Sequence, residues 1–170
     1  MVRVEYVLDS WRKVREDTVA AIEEFPAGEF DFRPVAEVSA FGELGRHILN
    51  AGHGMTGLLL TGEVQFATPD FRERLGRHVY PLAPGAGPAE LAAALRDSIR
   101  QRTEALAAQP PEFFATMMTH MDGHPLTRLE FLQILKEHEV THRAQLFLYL
   151  RMKGMVPPTT RRRMAKANAR

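Results

Sequence analysis

Histidine residues carry the clearest chemical signal in this sequence. The chain has seven of them, and His138 and His142 are four positions apart within a segment of helical periodicity. Side chains at i and i+4 project from one face of a helix, one turn apart, which is the spacing that two ligands of one metal ion require. The same face is predicted to point toward the core. It also carries Phe131, Leu135, Gln145 and Tyr149.

His47 is the predicted third ligand, because it is the one other histidine that is both mid-helix and part of an apolar row. A single buried histidine is usually satisfied by a hydrogen bond, and that simpler interpretation applies to each residue alone. One cation, however, satisfies three imidazole lone pairs at once. The chain has no cysteine, so thiolate zinc sites and a cysteine nucleophile are excluded. We therefore expect a divalent metal ion held by nitrogen ligands.

The other four histidines are weaker candidates. His53 is six residues from His47 and faces elsewhere on the helix. His120 and His124 repeat the spacing of four, but the glycine between them and the proline after them interrupt any helix there. His78 lies in a long loop, where we expect it to be solvated.

A second interpretation treats residues 138–142 as the H-E-x-x-H signature of zinc proteases, in which the glutamate is the general base. Those enzymes usually take their third ligand from beyond the motif, yet no His, Asp or Glu follows His142. The near absence of strand also removes the sheet edge on which a peptide substrate is commonly bound. Both observations argue against a protease.

Polar residues beside the predicted ligands have open roles. Gln145 follows the last ligand on the same face, and Glu43 precedes His47 by one turn, so both are expected to orient ligands or substrate. The alternative for each is an ordinary polar residue at a helix boundary. Glu139 is a candidate general base, with an inter-helix hydrogen bond or ion pair as the alternative. We take Glu139 and Gln145 as the candidate catalytic residues, and expect Arg143 to serve packing or a salt bridge.

Amphipathic helices must position these residues. The periodicity predicts four of them, at about 3–25, 40–61, 88–109 and 128–153. Ser39 is the predicted N-cap of the second, and Thr127 with Glu130 forms a predicted capping box at the fourth. Four long helices must bury their apolar faces against one another. The predicted fold class is therefore all-α, an antiparallel four-helix bundle.

The connections also carry signals. A stretch rich in glycine and proline, 63–87, joins the second and third helices and is long enough for a functional lid or a crossover. Asp122-Gly123 within 110–126 indicates a short hairpin. Residues 159–170 carry five positive charges and no acid, and removing them from the net charge of +1 leaves the body at −4. We therefore divide the chain into a metal-binding bundle, 1–158, and a basic tail, 159–170, that we expect to be solvated and frayed.

Composition limits the function classes. The chain is 45% hydrophobic and 25% charged, as is typical of globular proteins. No segment approaches the ~20 apolar residues that span a bilayer, and the start lacks the apolar stretch of a signal peptide. We therefore expect a cytoplasmic protein with no membrane partner. The small net charge argues against a nucleic-acid footprint over the whole protein, so nucleic acid is not an expected partner.

Two segments resemble the DinB family, metal-binding four-helix bundles also described as YfiT-like. FDFRPVAEVSAFGELGRHILNAGHGMTGLLLTGE resembles the second-helix region of that family, with its histidine at His47. FLQILKEHEVTHRAQLFLYLRMKGMVPP resembles its H-x-x-x-H-R-G-Q block and its Gly-x-x-Pro-Pro ending. Ala144 departs from the pattern, since the family often has glycine there.

The resemblance implies that His47, His138 and His142 bind zinc or nickel, and that the protein is a homodimer. It also implies kinship with thiol-dependent transferases and isomerases that use small thiols such as bacillithiol or mycothiol. We therefore expect a metal-dependent transferase or hydrolase that acts on a small molecule, with a low-molecular-weight thiol as a co-substrate of a transferase. The alternative is a non-catalytic, dimerising stress-response protein in which the ion cross-links helices.

Overall fold

Four long α-helices form the body of the protein in the computed structural model, which describes residues 3–169. They are α1 Val4–Glu24, α2 Phe41–Leu60, α4 Pro88–Ala107 and α6 Arg128–Met152. The shorter elements are a 3-10 turn Ala27–Glu29, α3 Phe71–Gly76, α5 Pro111–Ala115, β1 Met117–Thr119, β2 Pro125–Thr127 and α7 Pro158–Asn168. The predicted all-α four-helix bundle is confirmed. Within the described part of the chain, no helix combines the length and apolar character needed to cross a membrane.

The helix starts follow local hydrogen bonding. At α6 the predicted capping box is present, because the Thr127 hydroxyl accepts from the Glu130 N–H at 3.2 Å and the Glu130 carboxylate accepts from the Thr127 N–H at 2.7 Å. At α2 the predicted N-cap, Ser39, is wrong by one residue. Helix α2 begins after Ala40, whose N–H donates to the Glu43 carboxylate at 2.7 Å, while the Ser39 carbonyl accepts from another helix.

The long helices occupy the corners of the bundle in the cyclic order α1, α4, α2, α6, so that each packs against two others. Helices α1 and α4 run antiparallel, as predicted. Arg12 near the start of α1 donates to Thr103 near the end of α4 at 2.9 Å. Glu23 near the end of α1 pairs with Arg96 near the start of α4 at 2.7 Å.

Helices α2 and α6 are also antiparallel, since Phe41 at the start of α2 lies 6.4 Å from Tyr149 near the end of α6, measured between ring centroids. Phe25 at the end of α1 stacks on Phe41 at 3.7 Å, so α1 and α2 run in opposite directions. It follows that the two remaining neighbouring pairs, α2 with α4 and α1 with α6, run parallel. Two consecutive helices can run parallel only if their connection crosses from one end of the bundle to the other, and the long connection between α2 and α4 does so.

That connection, 61–87, is the predicted crossover, and it is held in place along its length. The Phe66 N–H donates to the Thr119 carbonyl at 3.0 Å, and the Thr119 N–H donates to the Val64 carbonyl at 2.7 Å. Arg74 of α3 donates to the Gln65 carbonyl at 2.8 Å. The stretch therefore joins the edge of the hairpin and carries a short helix of its own.

The predicted hairpin is present. Strands β1 and β2 pair antiparallel, with Met118 opposite Leu126. Gly123 in the turn has φ +90°, a left-handed conformation that glycine adopts at little cost. The hairpin is joined directly to the start of α6, where the Arg128 N–H donates to the Thr116 carbonyl at 3.1 Å.

The basic tail is helical, which corrects the expectation of a frayed end. Helix α7 begins with a proline at its first position and lies on α1. Arg161 pairs with Glu24, and Arg162 pairs with Asp17. The acidic charge of the body thus holds two of the arginines that the sequence analysis assigned to a solvated tail.

The core consists of two apolar clusters separated by a polar layer. One cluster includes Phe25 and Phe41, and the other includes Trp11 and Phe131. Between them along each long helix lie buried polar side chains. These are Arg15, Asp17, Thr18, His53, Thr56, Ser98 and Glu139. Buried polar groups need partners, so this layer restricts how the helices fit together more than apolar packing alone would.

His53 illustrates that constraint. It is 6% exposed, and its Nδ1 lies 3.0 Å from the Ser98 hydroxyl, with its ring against the edge of Tyr80. Burial lowers the pKa of His53 to about 4, with a further contribution from the nearby charge of Arg102. The imidazole is therefore neutral in the folded protein at pH values where it is protonated in the unfolded chain.

The pH dependence of stability tests this description. Because the pKa of His53 is depressed on folding, the unfolded chain binds the extra proton below about pH 6.5, and stability falls as the pH drops toward about 4. Between about pH 7 and about pH 4.5, the free energy of unfolding of the wild type should fall by about 2 kcal/mol more than that of His53→Gln. Chemical denaturation across this range measures the difference. Parallel profiles for the wild type and His53→Gln would contradict the description.

Candidate metal centre

Three histidines from two helices meet on the side of the bundle formed by α2 and α6. The Nε2 atom of His47 lies 3.0 Å from Nε2 of His138, and Nε2 of His142 lies 3.1 Å from the same atom. The three ligand atoms are all within 4.8 Å of one another. The antiparallel pairing of α2 and α6 brings together residues that are 91 positions apart. His47 is exposed and the other two are half-buried, so the cluster opens to solvent.

The donor set fits a divalent cation. Two imidazole nitrogens bound to one tetrahedral metal ion at about 2.0–2.1 Å are separated by about 3.3 Å, close to the spacing found here. The rings are inclined at 60°, 86° and 76° to one another and do not stack. In a neutral imidazole, each Nε2 carries either one proton or one lone pair. Nε2 of His138 can therefore form a hydrogen bond with only one of the two neighbouring Nε2 atoms, whichever tautomers are chosen. A shared cation satisfies all three.

Gln145 lies where the sequence predicted an orienting residue. Its Oε1 is 2.7 Å from Nδ1 of His142. An N–H at Nδ1 that donates to this oxygen leaves the Nε2 lone pair of His142 directed at the cluster. Contacts of this kind fix both the tautomer and the ring orientation of a metal-binding histidine.

The environment of two of the ligands favours their neutral form. The pKa of His138 is lowered to about 4, mainly by burial and in smaller part by the neighbouring His142 and His47. Burial is also the main cause of the lowered pKa of His47, followed by the charge of His142. A metal ion competes with protons for these nitrogens, so a depressed pKa makes them available as ligands at neutral pH.

Glu139 points away from the cluster, into the bundle, and is 2% exposed. Oε1 accepts from Nε of Arg15 at 2.6 Å and from the Thr18 hydroxyl at 2.9 Å. Oε2 accepts from Nη2 of Arg15 at 2.8 Å and from the Trp11 indole N–H at 2.6 Å. Of the roles that the sequence left open, the structure shows the inter-helix ion pair. With both oxygens occupied and no solvent access, this carboxylate lacks the geometry of a general base.

Glu43 and Arg143 also have defined contacts. The Glu43 carboxylate accepts hydrogen bonds from the Ala40 N–H and from Arg33, and the first of these is the main cause of its lowered pKa. Glu43 therefore stabilises the start of α2, which is the alternative of an ordinary polar residue at a helix boundary. Arg143 donates to Asp17 at 3.3 Å, the salt bridge that the sequence analysis expected.

The remaining histidines lie apart from the cluster. His120 and His124 are 2.8 Å and 3.1 Å from the same carboxylate oxygen of Asp122, in the turn of the hairpin. His78, within the crossover, is half-buried rather than solvated, since its Cβ lies against Gly57 of α2. Among residues 3–169, the three-histidine cluster is the one group of His, Cys, Asp or Glu side chains close enough to hold a metal ion.

The sequence analysis missed the partners of Glu139. Trp11 and Thr18 belong to the apolar row whose periodicity predicts the first helix, and Arg15, which was not marked as a candidate, lies between them on the same face. A charged side chain on a core-facing row requires a buried partner of opposite charge. That rule, applied to Arg15, would have indicated an internal acid.

Comparison with known proteins identifies the family. A family profile of the DinB superfamily matches residues 10–146, most of the chain. This chain belongs to the DinB superfamily. A comparison with curated proteins gave no match.

Solved structures of similar fold include other DinB-like proteins. One is the DinB-like protein YjoA of Bacillus subtilis, with a TM-score of 0.69 and 18% identity over 89% of this chain and 93% of that one. Another is YfiT of Bacillus subtilis, described as a probable metal-dependent hydrolase with an unusual four-helix bundle topology, with a TM-score of 0.62 and 18% identity over 91% of each chain. At this level of identity the likeness shows the fold of these DinB proteins.

A third similar structure is a mycothiol-dependent maleylpyruvate isomerase. The TM-score is 0.65 with 15% identity, and the match covers 85% of this chain but 61% of the isomerase. This chain thus shares the bundle part of a longer enzyme.

Gln145 provides a direct test of the centre. Replacing it by leucine removes the acceptor for Nδ1 of His142 and should weaken Zn²⁺ binding by about tenfold, because a ligand whose outer hydrogen bond is lost is less well oriented and less basic. Gln133→Leu is a matched control on the same helix, where the amide contacts Glu137 instead. Competition with a chromophoric chelator measures both affinities. Equal affinities for the two variants would show that the Gln145 contact is unrelated to metal binding.

Proposed function

We propose that this protein is a metal-dependent enzyme that acts on a small molecule through His47, His138 and His142. The observation that carries the proposal is the convergence of three imidazoles on a face open to solvent, with Nε2 of His47 and Nε2 of His142 at 3.0 Å and 3.1 Å from Nε2 of His138. A purely structural metal site is usually closed by a fourth protein ligand, whereas a catalytic site keeps a position open for substrate. No fourth His, Cys, Asp or Glu joins this group within residues 3–169.

The bound ion is proposed to be zinc or nickel. When bound, such an ion supplies Lewis-acid activation of a water or a thiol. His47, His138 and His142 would hold it, and Gln145 would keep His142 in the tautomer that binds.

The proposed reaction class is a thiol-dependent transferase, with a hydrolase as the second class. Three neutral imidazoles would leave the charge of a divalent ion uncompensated, and the buried acid next to His138, Glu139, is already neutralised by Arg15. Such a centre favours an anionic ligand, which a thiol supplies as thiolate and a water as hydroxide. The mycothiol-dependent isomerase with the same bundle supports this class, and YfiT supports a hydrolase.

The ligand assignment is tested by metal analysis of purified protein. Wild-type protein loaded with Zn²⁺ and dialysed should retain about one ion per chain, and alanine at position 47, 138 or 142 should abolish retention while circular dichroism stays unchanged. His124→Ala is the control, since its ring is exposed and outside the cluster. Full retention by any of the three site variants would remove that residue from the ligand set.

A non-catalytic role has one observation in its favour. The ligands come from two different helices, so an ion would cross-link α2 and α6. In that case the protein would be a metal-binding, dimerising stress-response protein.

Turnover separates the two functions. For an enzyme, the Zn²⁺- or Ni²⁺-loaded protein should conjugate a small thiol to a bimane electrophile, or hydrolyse a p-nitrophenyl ester, at least ~100-fold faster than His142→Ala. For a structural protein, metal should raise the melting temperature by several degrees while neither substrate is consumed faster than with His142→Ala.

A further inference from the structure

Glu139, the residue that follows His138, makes all of its side-chain hydrogen bonds inside the bundle. Four side chains form what we call the Glu139 network: Trp11, Arg15, Thr18 and Glu139. Three of them lie on α1 and one on α6, so the network joins the two helices at mid-length. Arg15 extends it to a third helix, because its Nη1 donates to the Leu95 carbonyl of α4 at 3.0 Å.

The position of the network along α6 matters for the metal ligands. The apolar contacts of α6 lie toward its two ends, up to Leu135 on one side and from Leu146 on the other. In the stretch 136–145, which contains both α6 ligands, Glu139 is the one fully buried residue. Glu139 is therefore the side chain that restricts rotation of this stretch from inside the bundle, and the partly buried ion pair of Arg143 with Asp17 adds a second contact with α1.

A small rotation would separate the ligands. Side-chain ends lie about 5–6 Å from the axis of a helix, so a rotation of 20° moves them by about 2 Å. That displacement is as long as a metal–nitrogen bond. Four hydrogen bonds at 2.6–2.9 Å, directed at both carboxylate oxygens from three sides, hold α6 against such a rotation.

We propose that Arg15, Trp11 and Thr18 are positioning residues, which act through Glu139 to aim the two α6 histidines at His47. This inference rests on the proposed metal-dependent function. In a zinc protease the glutamate of the H-E-x-x-H pattern faces the metal and acts as a base. Here Glu139 faces away from the metal site and sets the direction of His138 and His142.

Thr18→Val and Ser98→Ala form a matched pair that tests the proposal. Each removes one buried hydroxyl and its hydrogen bond to another side chain, but only the first lies in the network. Thr18→Val should weaken Co²⁺ binding about threefold and change the visible absorption of the bound Co²⁺, which reports ligand geometry. Ser98→Ala should leave both at wild-type values even though it also lowers stability. Thr18→Ser, which restores a hydroxyl, should recover the affinity.

Glu139→Gln is the stronger variant and should weaken Co²⁺ binding by about tenfold or more under conditions where chemical denaturation shows it to be folded. If it does not fold, Thr18→Val decides. Wild-type Co²⁺ affinity and spectrum in folded Glu139→Gln, or in Thr18→Val, would overturn the proposal and leave the metal site in place.

Nuclear magnetic resonance of the imidazole rings in metal-free protein separates this proposal from the proposed function. Thr18→Val should shift the ring signals of His138 and His142, and Ser98→Ala should not. If wild-type protein binds no metal, the proposed function fails, and these signals still decide the positioning role. Unshifted signals in Thr18→Val would overturn it.

Discussion

The ion pair between Arg15 and Glu139 is the interaction on which the rest of this structure depends. Both side chains are about 2% exposed, so each charge has lost nearly all of its hydration. Such a loss costs several kcal/mol per ion and is offset only when geometry is good and the remaining lone pairs are satisfied. Here the guanidinium meets both carboxylate oxygens, and an indole and a hydroxyl complete the shell. An arrangement so demanding admits one alignment of α1 with α6.

The polar layer divides a core that would otherwise tolerate several packings. Apolar residues of similar size can exchange partners at small cost, whereas a buried hydrogen-bonding group has few acceptable positions. At this level the bundle carries Glu139 on one corner and the His53–Ser98 contact between two others. Stability and specificity are thus provided by different parts of the protein. The two apolar clusters supply the burial, and the layer between them sets the register.

Much of the fold was predictable from the sequence, because its helices and turns depend on local sequence patterns. The long helices, the capping box at Thr127 and the Asp122-Gly123 turn each follow from a few neighbouring residues. The meeting of His47 with the α6 histidines was predictable from helical spacing and from the need of three imidazoles for a shared partner. The predicted core-facing position of these histidines was wrong, because the cluster opens to solvent and Glu139 faces the core instead. The directions of the helices were harder to predict from the sequence, because the parallel pairs depend on the path of the connection 61–87 between α2 and α4. The burial of Glu139 was not accessible from spacing alone, because the helix fixes the angle between Glu139 and the ligands but not which of them faces the core.

The tail shows the same limit in another form. Its composition indicated a solvated segment, yet Arg161 and Arg162 form ion pairs with Glu24 and Asp17 of α1. Counting charges along the sequence shows that the body is acidic and the tail basic, but it does not show that the acidic surface of α1 binds the tail.

The order of the helices has a consequence for how the protein matures. Arg15 and Glu139 are 124 positions apart, and the two sides of the histidine cluster are 91 apart. Contacts of such long range form slowly, since a large loop must close before they contribute. The cluster can form only once α2 and α6 have met, and a chain in which these helices are apart offers an ion at most the two α6 ligands together. Metal uptake would then follow completion of the bundle.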